Sequence, residues 1–131
     1  MALNILVLDD NENMVSSLVM FLTTKGFSAR GVHTVGQALD AISQEKFNVV
    51  ITDVFLEQTT GLSLLKSLKS RGDTTQIIMM SGYSQPQQVL ECLQLGAYDF
   101  LFKPFRLEVL AEILETIENR NQRFAKMGVI V

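Results

Sequence analysis

Short, nearly unbroken apolar runs alternate five times with segments of helical periodicity, and that alternation leaves few folds open to the chain. Residues 3–8, 47–52 and 76–80 are almost wholly apolar. A strand reads this way when both of its faces are buried, as in a parallel sheet covered on two sides. Residues 27–32 and 98–102 mix polar with apolar, as edge strands do.

The intervening segments are amphipathic. Val15, Leu18, Val19 and Leu22 keep helical spacing, and Gly26 suits a helix C-cap. Thr34-Val-Gly-Gln37 reads as a capping box opening a helix that carries Val35, Ala38, Leu39 and Ile42. Leu62, Leu65 and Leu68 stripe the third helix, which Gly72 ends. Ser84-Gln-Pro-Gln87 resembles a second capping box, with Pro86 in the first turn, and Gly96 closes that fourth helix. Leu107, Leu110, Leu114 and Ile117 stripe the last. The pattern predicts an α/β fold of the (βα)5 type: a doubly wound, five-stranded parallel sheet in a three-layer α/β/α sandwich.

A length of 131 residues fits one domain, and 47% hydrophobic content is enough for a full core. The net charge of -3 argues against direct nucleic-acid contact. Cys92 is the only cysteine, so no internal disulfide forms, and a reducing compartment suits it. It reads as a packed mid-helix thiol, and the methionines read as core filling. The N-terminus lacks a basic leader region, and no run of roughly eighteen apolar residues occurs to span a membrane. These features lead us to expect a cytoplasmic protein.

In an open parallel sheet, ligands bind beyond the carboxyl ends of the strands. There the sequence places Asp9 and Asp10 after the first strand, Asp53 after the third, Ser81-Gly82 after the fourth and Lys103-Pro104 after the fifth. Crowded carboxylates repel one another, and a hard cation such as Mg2+ relieves this. Lys103 adds a compact positive charge suited to a phosphate oxygen. A carboxylate can itself be the nucleophile that accepts a phosphoryl group. The competing reading makes the acidic residues helix N-caps, Lys103 a solvated surface lysine and Ser81 a turn former. His33 reads as an exposed loop residue.

With these residues in view, the chain resembles the receiver domain of bacterial two-component response regulators. The resemblance rests on Asp9-Asp10, Asp53, Gly61, Ser81-Gly82 and the run from Gly96 through Lys103-Pro104-Phe105. It covers about residues 3–120, with the receiver assigned to residues 1–125 and residues 126–131 left as a tail or the start of a linker. It implies a strand order of 2-1-3-4-5. It also implies that Asp53 takes a phosphoryl group from a histidine kinase, a phosphotransfer protein or a small phosphodonor. Such a domain catalyses its own phosphorylation and dephosphorylation rather than turning over a substrate. Mg2+ would be bound by Asp10 directly, by Asp9 largely through water, by Asp53 and by the Phe55 carbonyl. Ser81 and Lys103 would bind phosphoryl oxygens, and Phe100 would be an aromatic switch that rotates inward as Ser81 moves. Lys103-Pro104 would be a cis peptide.

One position departs from the family pattern. Glu57 stands where proline is frequent, which leaves the loop over residues 55–60 freer and more acidic. Two other functions compete. A degenerate receiver acting only as a protein-protein interaction module would usually lack an acidic residue or the lysine, and none is missing. A flavin or nucleotide binder would carry a glycine-rich phosphate loop, which is absent.

Three further expectations follow. Phe55 and Tyr83 flank the approach to the phosphoryl group and should slow its hydrolysis. The fourth helix, fifth strand and fifth helix, carrying Cys92, Tyr98, Phe100, Val109 and Ile113, should form a partner or homodimer face, with Val109 and Ile113 an exposed apolar pair. Leu107, Leu110, Leu114, Ile117, Asn121 and Phe124 also keep coiled-coil spacing, although a core-facing helix explains the first half equally well. The apolar tail Gly-Val-Ile-Val favours a piece of a longer regulator over a stand-alone relay.

Overall fold

The strands and helices alternate without exception: β1 (Asn4–Leu8), α1 (Glu12–Thr24), β2 (Ser28–Val32), α2 (Val35–Gln44), β3 (Val49–Asp53), α3 (Gly61–Ser70), β4 (Gln76–Ser81), α4 (Pro86–Gln94), β5 (Asp99–Phe102) and α5 (Leu107–Lys126). The structure is a computed structural model that describes residues 3–56, 60–83 and 85–129. The strands form one parallel sheet in the order β2-β1-β3-β4-β5, so the resemblance had the order right and the mixed segments β2 and β5 are the edges.

Every residue of β3 is buried, because apolar layers cover both faces of the sheet. On one side Leu6, Leu8 and Val50 pack with Leu64, Leu65 and Leu68 of α3. On the other, Ile5, Val7 and Ile51 pack with Leu18 and Leu22 of α1 and Leu110, Leu114 and Ile117 of α5. Successive strand residues point to opposite faces, so one apolar run feeds both cores.

The helix ends refine the sequence reading. Thr34 does cap α2, its Oγ1 accepting from the Gln37 amide at 3.1 Å, but Gln37 Oε1 accepts from His33 N rather than closing the box on Thr34. The second box is shifted by one residue. Gln88 Oε1 accepts from Gln85 N at 2.7 Å, with Pro86 opening the helix, while Ser84 lies outside the described residues. Gly26, Gly72 and Gly96 all take positive φ just past their helices, where a side chain would be strained. Leu107, expected in the core stripe, is 36% exposed because it sits in the first turn of α5, before the helix meets the sheet. Among the described residues no helix is long and apolar enough to cross a membrane.

Candidate functional site

The carboxyl ends of β1, β3, β4 and β5 meet along one edge of the sheet, and the polar residues there fall into contact. Asp9 is 1% exposed and Asp53 9%. Buried carboxylates need partners, and Lys103 provides one for both: its Nζ lies 2.7 Å from Asp9 Oδ2 and 2.5 Å from Asp53 Oδ2. Burial of the ammonium works against its charge. Its bonds to Asp53 and Asp9, and their negative charge, outweigh that and hold the Lys103 pKa above its ordinary value.

The remaining carboxylate oxygens are held by backbone. Asp53 Oδ1 accepts from the Phe55 amide at 2.9 Å, and Asp9 Oδ1 from the Asn11 amide at 3.0 Å. Both acids therefore make local amide bonds, but neither is the helix N-cap of the competing reading: Asn11 caps α1 and Thr60 stands at the start of α3. Their other oxygens, however, are turned inward to a shared cation. Ser81 is fully buried at the end of β4, and its Oγ accepts from Tyr83 N at 3.1 Å. Asp10 is exposed beside Asp9. The Lys103–Pro104 bond is cis.

A cleft of about 650 Å3 opens over this cluster, lined by Asp53, Ser81 and Lys103 with Phe55 and Tyr83 at its wall. Phe55 is 45% exposed and Tyr83 89%, so Tyr83 borders the cleft with most of its ring in solvent. Met14 and Phe105 also line it. Sequence spacing carried no signal for Met14, which the packing of α1 brings there, whereas Phe105 follows directly from Lys103-Pro104. His33 is not the exposed loop residue expected. It is half-buried, with Nδ1 3.1 Å from the Asp9 carbonyl oxygen, which requires a proton on Nδ1.

Gly61 shows why one glycine is needed. Its amide donates to the Val54 carbonyl at 2.8 Å, and a Cβ there would lie 2.1 Å from the Asp53 carbonyl oxygen. Glycine lets α3 start directly against the residue that ends β3. Glu57 lies outside the described residues.

The oxygen donors suit a hard cation. Two buried carboxylates already share one positive charge, with the exposed Asp10 and the Phe55 backbone beside them. Among the described residues no three His, Cys, Asp or Glu side chains close into a cage. A partial shell of this kind fits Mg2+, which keeps several of its waters.

The expected contact face needs correction. Cys92 and Phe100 are 1% and 8% exposed, and Tyr98 and Ile113 are half-buried, packed against the core. Phe100 already lies inward, 5.1 Å from the ring of Phe102. The apolar residues that do face solvent on α4, β5 and α5 include Leu90, Leu93, Phe102 and Val109, and only Val109 had been expected. Alternation along a short edge strand did not reveal which aromatic faces out. Of the coiled-coil pattern, Leu110, Leu114 and Ile117 are core, while Asn121 and Phe124 are half-buried.

Residues 5–115 match the family model of the response regulator receiver domain. The transcriptional regulatory protein FixJ of Bradyrhizobium diazoefficiens is 32% identical over 127 residues, covering 97% of this chain and 62% of FixJ. The nitrogen assimilation regulatory protein NtrX of Azorhizobium caulinodans is 32% identical, covering 93% of this chain and 28% of NtrX. The chain thus spans less than two thirds of the length of these curated relatives. Among solved structures, a two-component response regulator from Clostridium difficile superposes with a TM-score of 0.85 at 27% identity, covering 90% of this chain and 97% of that one. The beryllofluoride-activated NtrC4 receiver domain dimer superposes with a TM-score of 0.79 at 27% identity, covering 92% of this chain and 98% of that one.

Proposed function

The chain belongs to the response regulator receiver domain family, and on that premise we propose that Asp53 accepts a phosphoryl group and that its charge switches partner binding. One observation carries this reading: Lys103 bridges Asp9 and Asp53 across the carboxyl edge of the sheet, under an open cleft. A cation binding two carboxylates can pass from a carboxylate to a phosphoryl oxygen without leaving the site.

In the step itself an Asp53 Oδ attacks phosphorus. The new O–P bond forms as the P–N bond to a donor histidine, or the P–O bond to acetyl phosphate, breaks. The imidazole or acetate leaves with that electron pair. Asp9, Asp10 and Asp53, with the Phe55 carbonyl, would hold Mg2+, which supplies charge neutralisation on the phosphoryl oxygens. Lys103 moves from Asp53 to one phosphoryl oxygen. Ser81 donates a hydrogen bond from its hydroxyl to another, and Phe100, packed beneath the β4–β5 edge, carries the change to the surface.

The donor partner is a histidine kinase or phosphotransfer protein, and the setting is cytoplasmic two-component signalling. The receiver unit occupies residues 1–125, with residues 126–131 a C-terminal tail or the start of a linker. The exposed residues Leu90, Phe102 and Val109 on α4, β5 and α5 supply a face for a partner or a second copy. The degenerate alternative has no observation in its favour, because Asp9, Asp53, Ser81 and Lys103 are all retained and gathered.

The test is intact mass after incubation with Mg2+ and acetyl phosphate. Wild type should gain one phosphoryl mass and Asp53→Asn none. Phosphorylation of Asp53→Asn at the wild-type rate would overturn the assignment.

A further inference from the structure

At the opposite pole of the sheet, where the strands begin, a cavity of about 270 Å3 lies between the approaches to β3 and β4 and the last turns of α5. Its wall is unexpected for a chain of net charge -3. Three cationic side chains, Lys46, Lys69 and Arg120, line it with polar groups of Asn48, Thr74 and Asn121, and no described carboxylate does. Asp73, close by in sequence, does not line it; its carboxylate accepts from the amide of Thr75, a lining residue, at 2.9 Å and from the Thr75 hydroxyl at 2.6 Å. Lys69 and Arg120 make no salt bridge among the described residues.

Arg120 is held as a binding group would be. Its guanidinium carbon lies 5.2 Å from the ring centre of Tyr98 and 5.8 Å from that of Phe124, so two aromatic rings fix its position. Its Nε is buried and has no hydrogen-bond partner among the described residues. The planar guanidinium matches the oxygen pairs of phosphate and carboxylate, and the two ammonium groups add positive charge around the same space. With a water occupying about 30 Å3 of liquid, the cavity has room for roughly nine waters or for one compact polyanion.

We propose that this cavity binds a small polyanion bearing phosphate or carboxylate groups, at the pole opposite Asp53. The bound anion pairs with the Arg120 guanidinium and the Lys69 ammonium, with Lys46 adding positive charge nearby. It ties the last turns of α5 to the bases of β3 and β4.

The whole chain, labelled with 15N, should be titrated with inorganic phosphate, pyrophosphate and citrate, with chloride matched to constant ionic strength. Arginine Nε–H and backbone amide shifts provide the readout. We expect saturable shifts of Arg120 Nε–H and of the amides near residues 46–48 and 74–76, and a rise in unfolding temperature with anion concentration. A Lys46→Gln, Lys69→Gln double variant leaves the Arg120 stack intact and should weaken binding about tenfold or more. A stronger response to pyrophosphate than to citrate assigns the phosphate class, and the reverse the carboxylate class; either supports the site. The proposal is overturned if the shifts merely follow ionic strength, if they are confined to residues around Asp53, or if the double variant binds as tightly as wild type. Failure of any kind here leaves phosphorylation of Asp53 untouched, since the two sites share no residue.

Discussion

Replacing Gly61 with alanine tests how closely α3 must approach the phosphoacceptor. The added Cβ would lie 2.1 Å from the Asp53 carbonyl oxygen and 2.9 Å from Thr52 Oγ1, where real Cβ contacts do not go below 3.0 Å. About 0.9 Å must therefore be found. The main obstacle is backbone, not the end of a flexible side chain. It belongs to β3, which is paired to β1 on one side and β4 on the other. The strand cannot yield cheaply, so the start of α3 must lift, straining the 2.8 Å bond from Gly61 N to the Val54 carbonyl. Overpacking of this kind costs about 1–3 kcal/mol. For a domain of this size that lowers the unfolding temperature by roughly 5–10 °C. Any residual shift of Asp53 also slows phosphorylation, because an error of about 1 Å in a reacting group can cost on the order of a hundredfold in rate. Thermal unfolding by circular dichroism, together with the rate of phosphoryl mass gain from acetyl phosphate, measures both effects. Gly36→Ala in α2 is the control. A Cβ there meets nothing closer than 3.9 Å, so stability should be unchanged or raised by about 0.5–1 kcal/mol. If Gly61→Ala unfolds and phosphorylates as wild type does, the close-approach argument is refuted.

Asp10→Ala should weaken Mg2+ binding in a metal titration, whereas Lys103→Ala should bind Mg2+ as well as wild type or more tightly, because the cation competing for Asp9 and Asp53 is gone; equal affinity in wild type and Asp10→Ala would refute the metal assignment. The aspartyl phosphate should be long-lived, and a Phe55→Asn, Tyr83→Glu variant should lose it faster once the donor is removed. The exposure of Tyr83 makes Phe55 the main shield, so the single Phe55→Asn change should account for most of the effect. The Lys103 pKa is raised in the folded protein, so the stability from its ion pairs is fully present below the unfolded value near 10.5 and is lost as pH rises through the folded value. The stability difference between wild type and Lys103→Met, measured by urea unfolding, should accordingly shrink in strongly alkaline buffer; a constant difference would count against this.

The order and kind of elements were legible in the sequence, because burial on two faces makes runs such as residues 49–51 wholly apolar while the covering helices need only one apolar stripe. The sequence also determined which polar residues stand at the strand ends, since a strand that leaves the core must end where polar groups begin. What it could not determine was which of them touch. Lys103 follows β5 and Asp9 follows β1, three places apart in the sheet, and only the sheet's order and the path of the chain after β5 bring Nζ within 2.7 Å of that carboxylate. The partial burial of Ile113 and the exposure of Phe102 were likewise settled by packing: a helix rotation of a few tens of degrees, or one step of strand alternation, exchanges core for solvent. The basic cavity has no local signature, because Lys46, Lys69 and Arg120 are distant in the chain and meet only where the ends of α3 and α5 converge on the starts of β3 and β4. Periodicity is a property of neighbours in sequence, whereas a site is a property of neighbours in space, and the fold alone converts one into the other.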